Sequence, residues 1–336
     1  MSYSTITEPV KGLKTMGDTE LLLNMLSYKR PEGTMTQRIF CERFLQPVMG
    51  QPDRDGNYVH VVYNDDGSAP NLCFTAHHDT VHKTEGLQKV LYDPNLNLAY
   101  VDHGECLGAD CTTGIFLILR MIEAKVPAIY VVHAGEEIGC VGSSALVKNM
   151  PSWLFKTDAV ISFDRYGTKS VITHQMGRRT ASESFAESFA EALGMDTLLP
   201  DPDGSYTDSN EYVEVVGECT NISVGYYSQH TKNEYQDIEY AIDLKDALIT
   251  ADWSKLRFER LAGSIEYDGF YGGYTGRGWT STNRPAEDNT ASHESISELI
   301  YDNPEGVAML LESWGFSVSD LEDGIEELDA YYGSTY

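Results

Sequence analysis

Apolar runs alternate with amphipathic stretches along most of the chain. Short runs of apolar and β-branched residues predict strands at 58–63, 71–76, 128–133, 158–163, 170–175 and 221–227. Apolar residues at helical spacing predict helices at 18–28, 35–47, 112–124, 142–150, 182–194 and 243–262. Strands that alternate with helices in this way are typical of a sheet covered by helices. We therefore predict a three-layer α/β/α fold with a mixed, mostly parallel central sheet.

The first two predicted strands are separated by the polar segment NDDGSAP. A short segment rich in Gly, Pro and Asp between two apolar runs is typical of a turn. The sequence therefore predicts a hairpin formed by 58–63 and 71–76.

The character of the chain changes after residue 262. Residues 263–293 are rich in Gly, Tyr, Ser and Thr and have no apolar period, which is typical of a linker. Residues 294–336 are acidic and have helical spacing, which predicts a small helical C-terminal appendage. The sequence thus predicts a main domain at 1–262, a linker and an appendage.

The formal net charge is −28 over 336 residues. Nucleic acids and anionic membranes attract basic surfaces, so neither is expected as a partner. No apolar run reaches the about 18 residues of a membrane span, and the N-terminus lacks the pattern of a secretory signal. The six cysteines show no C-x-x-C spacing, which favours reduced thiols and a cytoplasmic location.

The segment FTAHHDTVH (74–82) is the first candidate for chemistry. His77 and Asp79 are two residues apart at the end of a predicted strand, so their side chains leave an extended backbone on the same side. This arrangement suits a metal-binding imidazole that a carboxylate orients. A solvated loop is the alternative, and His78 and His82 are weaker candidates.

Asp110 precedes the predicted helix at 112–124. Its carboxylate is a candidate metal ligand, because the small residues Gly108 and Ala109 permit a close approach of the backbone. A helix N-cap is the alternative interpretation.

Further acidic and imidazole side chains follow other predicted strands. Adjacent Glu136 and Glu137 follow the strand at 128–133, Asp164 ends the strand at 158–163, and His230 lies just beyond 221–227. Adjacent carboxylates repel each other unless a cation is present. Strand ends of one α/β sheet converge on one edge, and imidazole with carboxylate donors and no cysteine suits divalent metals, zinc most often. Each residue taken alone also has a purely structural interpretation.

The order H-x-D, G-A-D, Glu-Glu, Asp, His over roughly residues 72–235 resembles the co-catalytic di-zinc metallo-exopeptidase superfamily. That superfamily contains aminopeptidases, carboxypeptidases and acylamino-acid deacylases. The resemblance implies that His77, Asp110 and Asp164 hold one metal ion and that Asp110, Glu137 and His230 hold the other. It also implies that Glu136 is the general base and that Asp79 orients His77. The chain departs from the family pattern at Cys111, where Asp or Asn is usual, and at His133, where Thr or Ser is common.

Only 65 residues separate Asp164 from His230, which resembles the single-domain aminopeptidase branch. The segment GSYTDSNEY (204–212) lies within this interval, so Tyr206, Thr207 and Asp208 are candidate substrate contacts, with a surface turn as the alternative. Arg165 is a candidate for binding a substrate carboxylate.

The resemblance implies an aminopeptidase that acts on a peptide or amino-acid derivative with two divalent ions. Zinc is expected, with manganese or cobalt as alternatives. A carboxypeptidase or N-acyl amino acid deacylase is the alternative activity. A further alternative is that the catalytic fold serves protein binding, with a partner docked through 294–336.

Overall fold

Strands and helices alternate along the chain in the computed structural model, which describes residues 15–102, 104–264 and 307. The helices are α1 (Asp18–Leu26), α2 (Met35–Phe40), α3 (Gln46–Met49), α4 (Ala109–Glu123), α5 (Val141–Asn149), α6 (Glu183–Leu193) and α7 (Ile238–Thr250). A π-helical segment at Cys41–Leu45 joins α2 to α3, and short 3-10 helices lie at Leu154–Lys156, Asp208–Tyr212 and Trp253–Lys255. The strands are β1 (Tyr28–Lys29), β2 (Tyr58–Val62), β3 (Leu72–His77), β4 (Gly86–Leu87), β5 (Val90–Asp93), β6 (Leu98–Val101), β7 (Ala128–His133), β8 (Ala159–Arg165), β9 (Ser170–Ile172), β10 (His174–Gln175), β11 (Arg178–Arg179), β12 (Leu199–Asp201), β13 (Glu218–Ser223), β14 (Tyr226–Tyr227) and β15 (Tyr235–Asp237).

The central sheet has seven strands in the order β12-β9-β13-β8-β3-β7-β2. The middle strands β13, β8, β3 and β7 are parallel to one another, and β2 is an antiparallel edge strand. Every residue of β3, β7 and β13 is buried, as expected for parallel strands covered on both faces. The predicted mixed, mostly parallel sheet is therefore confirmed.

Helices cover both faces of this sheet. Successive strand residues point to opposite faces, so Phe74 joins a large core with α1, α4, α6 and α7, while Cys73 joins a smaller core on the other face. The smaller core contains Leu146 of α5 and Tyr212 of the 3-10 helix at Asp208–Tyr212. The predicted three-layer α/β/α arrangement is confirmed.

Helix α4 lies directly against the sheet beneath the carboxyl ends of β3 and β8. A Cβ atom at Gly114 would overlap the Phe163 carbonyl oxygen and touch the Ala76 side chain. Only glycine permits this close approach, which holds the N-terminus of α4 at the ends of the two strands.

A second sheet is antiparallel, with the order β14-β15-β6-β5. Strands β5 and β6 form a hairpin that the apolar pattern does not predict, because the two strands are short and half exposed. The loop between β14 and β15 carries His230.

The predicted hairpin of 58–63 and 71–76 is wrong. β2 pairs with β7, and β3 lies between β7 and β8. The fully buried β3 needs hydrogen-bonded neighbours on both sides, whereas the half-exposed β2 tolerates the edge of the sheet.

Several predicted elements also differ from the structure in their bounds. The helix predicted at 35–47 is divided into α2, the π-helical segment and α3, and the strand predicted at 170–175 is divided into β9 and β10. Helix α7 begins at Ile238, where the Asp237 side chain accepts the Tyr240 N–H at 3.0 Å, and it ends at Thr250 instead of 262. The predicted strand at 221–227 is broken near Gly225, which has a φ of +92°.

None of the described helices has the length and apolar content needed to cross a bilayer. The predicted linker beyond residue 264 and the predicted appendage, residue 307 excepted, lie outside the described residues. The predicted division at residue 262 stays a prediction.

Candidate metal centre

Candidate side chains from three neighbouring strands meet at one edge of the central sheet. β3, β7 and β8 are paired in parallel, so their carboxyl ends lie side by side. His77 is the last residue of β3, Asp164 lies near the end of β8, and Glu136 and Glu137 follow β7. Carboxyl ends of parallel strands are the usual place for ligand sites in such sheets.

Asp110 and His230 reach the same edge from outside the sheet. The His230 Nε2 lies 2.9 Å from Asp110 Oδ2 and 3.5 Å from Glu137 Oε1. The His77 Nε2 lies 3.8 Å from Asp164 Oδ1, and donor atoms of His77 and Asp110 lie within 4.8 Å of each other. We name His77, Asp110 and Asp164 the His77 group, and Asp110, Glu137 and His230 the His230 group. The structure thus brings all five predicted ligands together.

The alternative interpretation of Asp110 as an N-cap is wrong. The cap residue of α4 is Gly108, with a φ of +70°, and Asp110 is the second residue of the helix. The backbone N–H of Cys111 donates to Asp110 Oδ1 at 2.7 Å, while Asp110 Oδ2 faces His230. The Asp110 carboxylate is therefore directed at the candidate ligands.

Asp79 connects the segment 74–82 with the pair Glu136 and Glu137. The His77 Nδ1–H donates to Asp79 Oδ1 at 3.3 Å, which leaves Nε2 directed at Asp164. The backbone N–H groups of Glu136 and Glu137 donate to the two oxygens of Asp79 at 3.2 and 3.0 Å. Burial raises the pKa of Asp79, but the hydrogen bonds from His77 and Glu137 outweigh this and hold the pKa below its usual value. Asp79 thus orients His77 and fixes the Glu-Glu segment.

Crowded carboxylates dominate the electrostatics of the centre. Burial raises the pKa of Glu136 well above its usual value, and the charges of Asp164 and Glu137 raise it further. Burial and the charge of Asp110 raise the pKa of Glu137 to about 7. Burial lowers the pKa of His230, yet Asp110 and Glu137 raise it to about 11. Each shift is relieved by a cation among these groups.

The donor set fits divalent metal ions. Three overlapping sets of donors lie within 4.8 Å: His77, Asp110 and Cys111; His77, Glu136 and Glu137; and Asp110, Glu137 and His230. The buried Glu137 Oε1 accepts no hydrogen bond from any described residue. A buried carboxylate oxygen that is left without a donor is unusual, and a metal ion satisfies it.

Glu234 is a residue of this centre that the sequence does not indicate. Its buried carboxylate accepts the N–H groups of Leu107, Gly108 and Ala109 at 2.9, 3.2 and 2.7 Å. Glu234 therefore ties the loop of His230 to the N-terminus of α4, which carries Asp110. The partners lie about 125 residues earlier in the chain, so no local pattern could have identified this contact.

Two of the candidate substrate contacts lie against the centre. The Thr207 hydroxyl donates to Asp164 Oδ2 at 2.7 Å, and the Ser143 hydroxyl donates to Asp208 Oδ1 at 2.6 Å. Burial raises the pKa of Asp208 to about 7, and nearby carboxylates contribute. Tyr206 is 41% exposed, and its hydroxyl donates to Glu211.

Arg165 lies on the side of β8 opposite Asp164, as expected for consecutive strand residues. Its Nη2 lies 3.3 Å from Asp201 Oδ2, and its guanidinium stacks on the Tyr166 ring at 4.2 Å. The structure therefore does not bring Arg165 to the candidate ligands.

The weaker candidates His78 and His82 have protein partners on both ring nitrogens. The Gln37 amide donates to His78 Nδ1 at 2.9 Å, and His78 Nε2–H donates to the Gly56 carbonyl. His82 similarly lies between the Thr80 hydroxyl and the Cys106 carbonyl. These contacts explain both histidines as structural residues.

Cys111 was not among the metal ligands that we predicted from the sequence. Its Sγ lies within 4.8 Å of the donor atoms of His77 and Asp110, and the side chain is fully buried. The expectation of a centre without a sulfur donor thus omitted a side chain that lies beside two candidate ligands.

The arrangement of a parallel α/β sheet with imidazole and carboxylate donors at its carboxyl edge defines a class of metal-dependent hydrolase. Residues 57–209 match the model of Peptidase family M28. This match covers less than half of the chain, includes four of the five predicted ligands, and confirms over these residues the resemblance stated from the sequence.

Solved structures show the same fold. A tripeptidase from Staphylococcus aureus has a TM-score of 0.55 at 15% identity, covering 69% of this chain and 96% of its own. The aminopeptidase PepT from Bacillus cereus has a TM-score of 0.50 at 14% identity, covering 70% and 98%. An aminopeptidase from the archaeon Desulfurococcus kamchatkensis has a TM-score of 0.51 at 14% identity, covering 69% and 93%. No curated protein matches the sequence.

Proposed function

We propose that this chain is an aminopeptidase that uses two divalent ions, expected to be zinc, to release the N-terminal residue of a peptide. The convergence of His77, Asp110, Glu137, Asp164 and His230 at one edge of the sheet carries the proposal. The His77 group would hold one ion and the His230 group would hold the other, and Asp110 belongs to both groups. Once bound, the ions polarise the scissile carbonyl and acidify a water molecule.

Glu136 is the general base in this proposal. Its carboxylate lies beside His77 and Glu137, and a carboxylate in that position can accept a proton from water. Glu136 accepts the proton of the attacking water and delivers it to the leaving amine. Asp79 holds the Glu136 backbone N–H, so the base keeps its position beside His77.

Charge favours a substrate with a free amine. The carboxylates of Asp208 and Asp164 lie near one another, and Asp208 is buried with a raised pKa. A substrate ammonium group reduces this repulsion. Arg165, which was a candidate for binding a substrate carboxylate, is paired with Asp201, and Arg178 is paired with Glu214.

The test compares amino-acid anilides that have a free amine with their N-acetyl counterparts, after removal of metal and reloading with zinc. We expect hydrolysis of the free-amine substrates only, and about two bound ions per active chain by elemental analysis. Faster hydrolysis of N-acetyl substrates overturns the aminopeptidase assignment. Full activity with a single bound ion overturns the two-ion assignment.

Two further expectations belong to this proposal. The cysteines are all free and buried, which fits the proposed cytoplasmic location. Docking of a protein partner through 294–336 is tested by deleting 264–336 and measuring whether peptide hydrolysis survives.

A further inference from the structure

Arg30 is a fully buried arginine whose contacts include no carboxylate among the described residues. Its Nε donates to the His78 carbonyl at 3.0 Å, and its Nη1 lies 3.4 Å from the Met25 carbonyl. Its Nη2 donates to Thr112 Oγ1 at 2.8 Å and to Cys111 Sγ at 3.0 Å. A buried guanidinium without an anionic partner is costly, so an anion is expected beside it.

Cys111 is the residue beside Arg30 that can supply this anion. The other groups that the Arg30 guanidinium contacts are two carbonyls, a hydroxyl and the Phe40 ring, whose centroid lies 3.9 Å from Cζ, and all of these stay neutral. The sulfur lies 3.0 Å from Nη2, and charge-assisted hydrogen bonds of this kind are the strong ones. The position of the Arg30 guanidinium therefore suits a Cys111 sulfur that carries negative charge.

The same sulfur lies beside the His77 group. Cys111 Sγ lies within 4.8 Å of donor atoms of both His77 and Asp110, so one ion can contact all three. Thiolate, imidazole and carboxylate are the donors that zinc accepts. The step balances because the Cys111 thiol releases its proton to solvent as the Zn–S bond forms.

We propose that Cys111 Sγ is a ligand of the ion in the His77 group and that Arg30 stabilises the bound sulfur through an N–H···S hydrogen bond. The inference rests on the proposed metal centre and adds a donor that the family pattern does not place there. A sulfur donor makes this position selective, because thiolate favours zinc over manganese. The His230 group has only oxygen and nitrogen donors and lacks this preference.

The test is X-ray absorption at the zinc edge of the fully loaded protein. We expect a sulfur shell at about 2.3 Å with one sulfur for every two zinc ions. Cobalt-loaded protein should show near-ultraviolet sulfur-to-cobalt charge transfer, which Cys111→Ser removes. Cys140→Ser is the matched control, because Cys140 is also buried and its Sγ lies 3.7 Å from Glu136 Oε1.

Each outcome decides the inference. A zinc shell of nitrogen and oxygen alone in the wild-type protein overturns it, even if Cys111→Ser fails to fold. A charge-transfer band that persists in Cys111→Ser or disappears in Cys140→Ser also overturns it. Peptide hydrolysis with two bound ions and no sulfur shell leaves the proposed function standing, whereas a chain that binds no zinc overturns both proposals.

Discussion

The His77 group and the His230 group share Asp110, but the chain holds them in different ways. His77 and Asp164 stand at the ends of β3 and β8, which are hydrogen-bonded to each other inside the sheet, and His77 is 1% exposed. His230 lies in a loop, has a φ of +61°, and exposes 48% of its side chain. The first group is positioned by packing of the sheet and the second by a loop contact, so we expect the second to exchange its ion more readily.

Glu136 tests whether the two groups act as one centre, because its carboxylate lies beside both His77 and Glu137. Glu136→Gln should keep both ions and lower turnover by about 10²–10⁴-fold, since the amide cannot accept the proton. Steady-state rates and elemental analysis on the same sample provide the measurement. Glu214→Gln, which alters an exposed carboxylate paired with Arg178, is the control. Near wild-type turnover of Glu136→Gln contradicts the base assignment.

The two histidines test the difference between the groups directly. His230→Ala should need more than about 100-fold higher metal concentration for half-maximal activity, yet excess metal should restore part of the rate, because water can replace an exposed ligand. His77→Ala should not be restored, since it leaves Asp79 buried without its imidazole partner. Activity measured across a metal titration distinguishes the two. If excess metal restores the activity of both variants equally, the sheet does not hold the His77 group more firmly than the loop holds the His230 group.

The ligands of both groups were predicted from the sequence, because each lies near the end of an apolar strand or the start of a helix. His77, Glu137 and Asp164 follow apolar strands, so local patterns locate them and parallel pairing brings them together. The contact between Glu234 and the start of α4, and the contact between Arg30 and Cys111, join segments far apart in the chain. Such contacts depend on tertiary packing and leave no periodic signal. The same limit explains the wrong hairpin, because strand partners depend on burial of both strand edges.

Glu234 sharpens the comparison at the loop. Glu234→Gln should raise the metal concentration required by the His230 group by about 10-fold, because a neutral amide binds the three N–H groups of α4 less strongly and loosens the loop. The rate at saturating metal should change little. Glu239→Gln is the control, since Glu239 is a neighbouring exposed glutamate that contacts only an Asn97 amide among the described residues. An unchanged metal requirement for Glu234→Gln shows that the loop does not need this anchor.

The smallest expected effect concerns His133, which is fully buried beside His77. His133 pairs in register with His77, its Nδ1–H donates to Asn57 Oδ1, and its Nε2 accepts the Tyr212 hydroxyl at 3.0 Å. Burial lowers the pKa of His133 to about 3, with His77 and His78 contributing. The folded chain therefore excludes a proton that the unfolded chain binds below its ordinary pKa of about 6.5.

The sign of the pH effect follows from that depressed pKa. The contribution of His133 to the free energy of unfolding is fully present above pH 6.5 and falls by about 1.4 kcal/mol per pH unit below it, toward pH 3. Urea unfolding of metal-free protein at pH 5.0, 5.5 and 6.0 measures the slope, and His133→Phe should reduce that slope by about one proton. A slope that is the same in both proteins shows that His133 takes up its proton while the chain is folded. That result would mean that burial does not keep the proton away from His133.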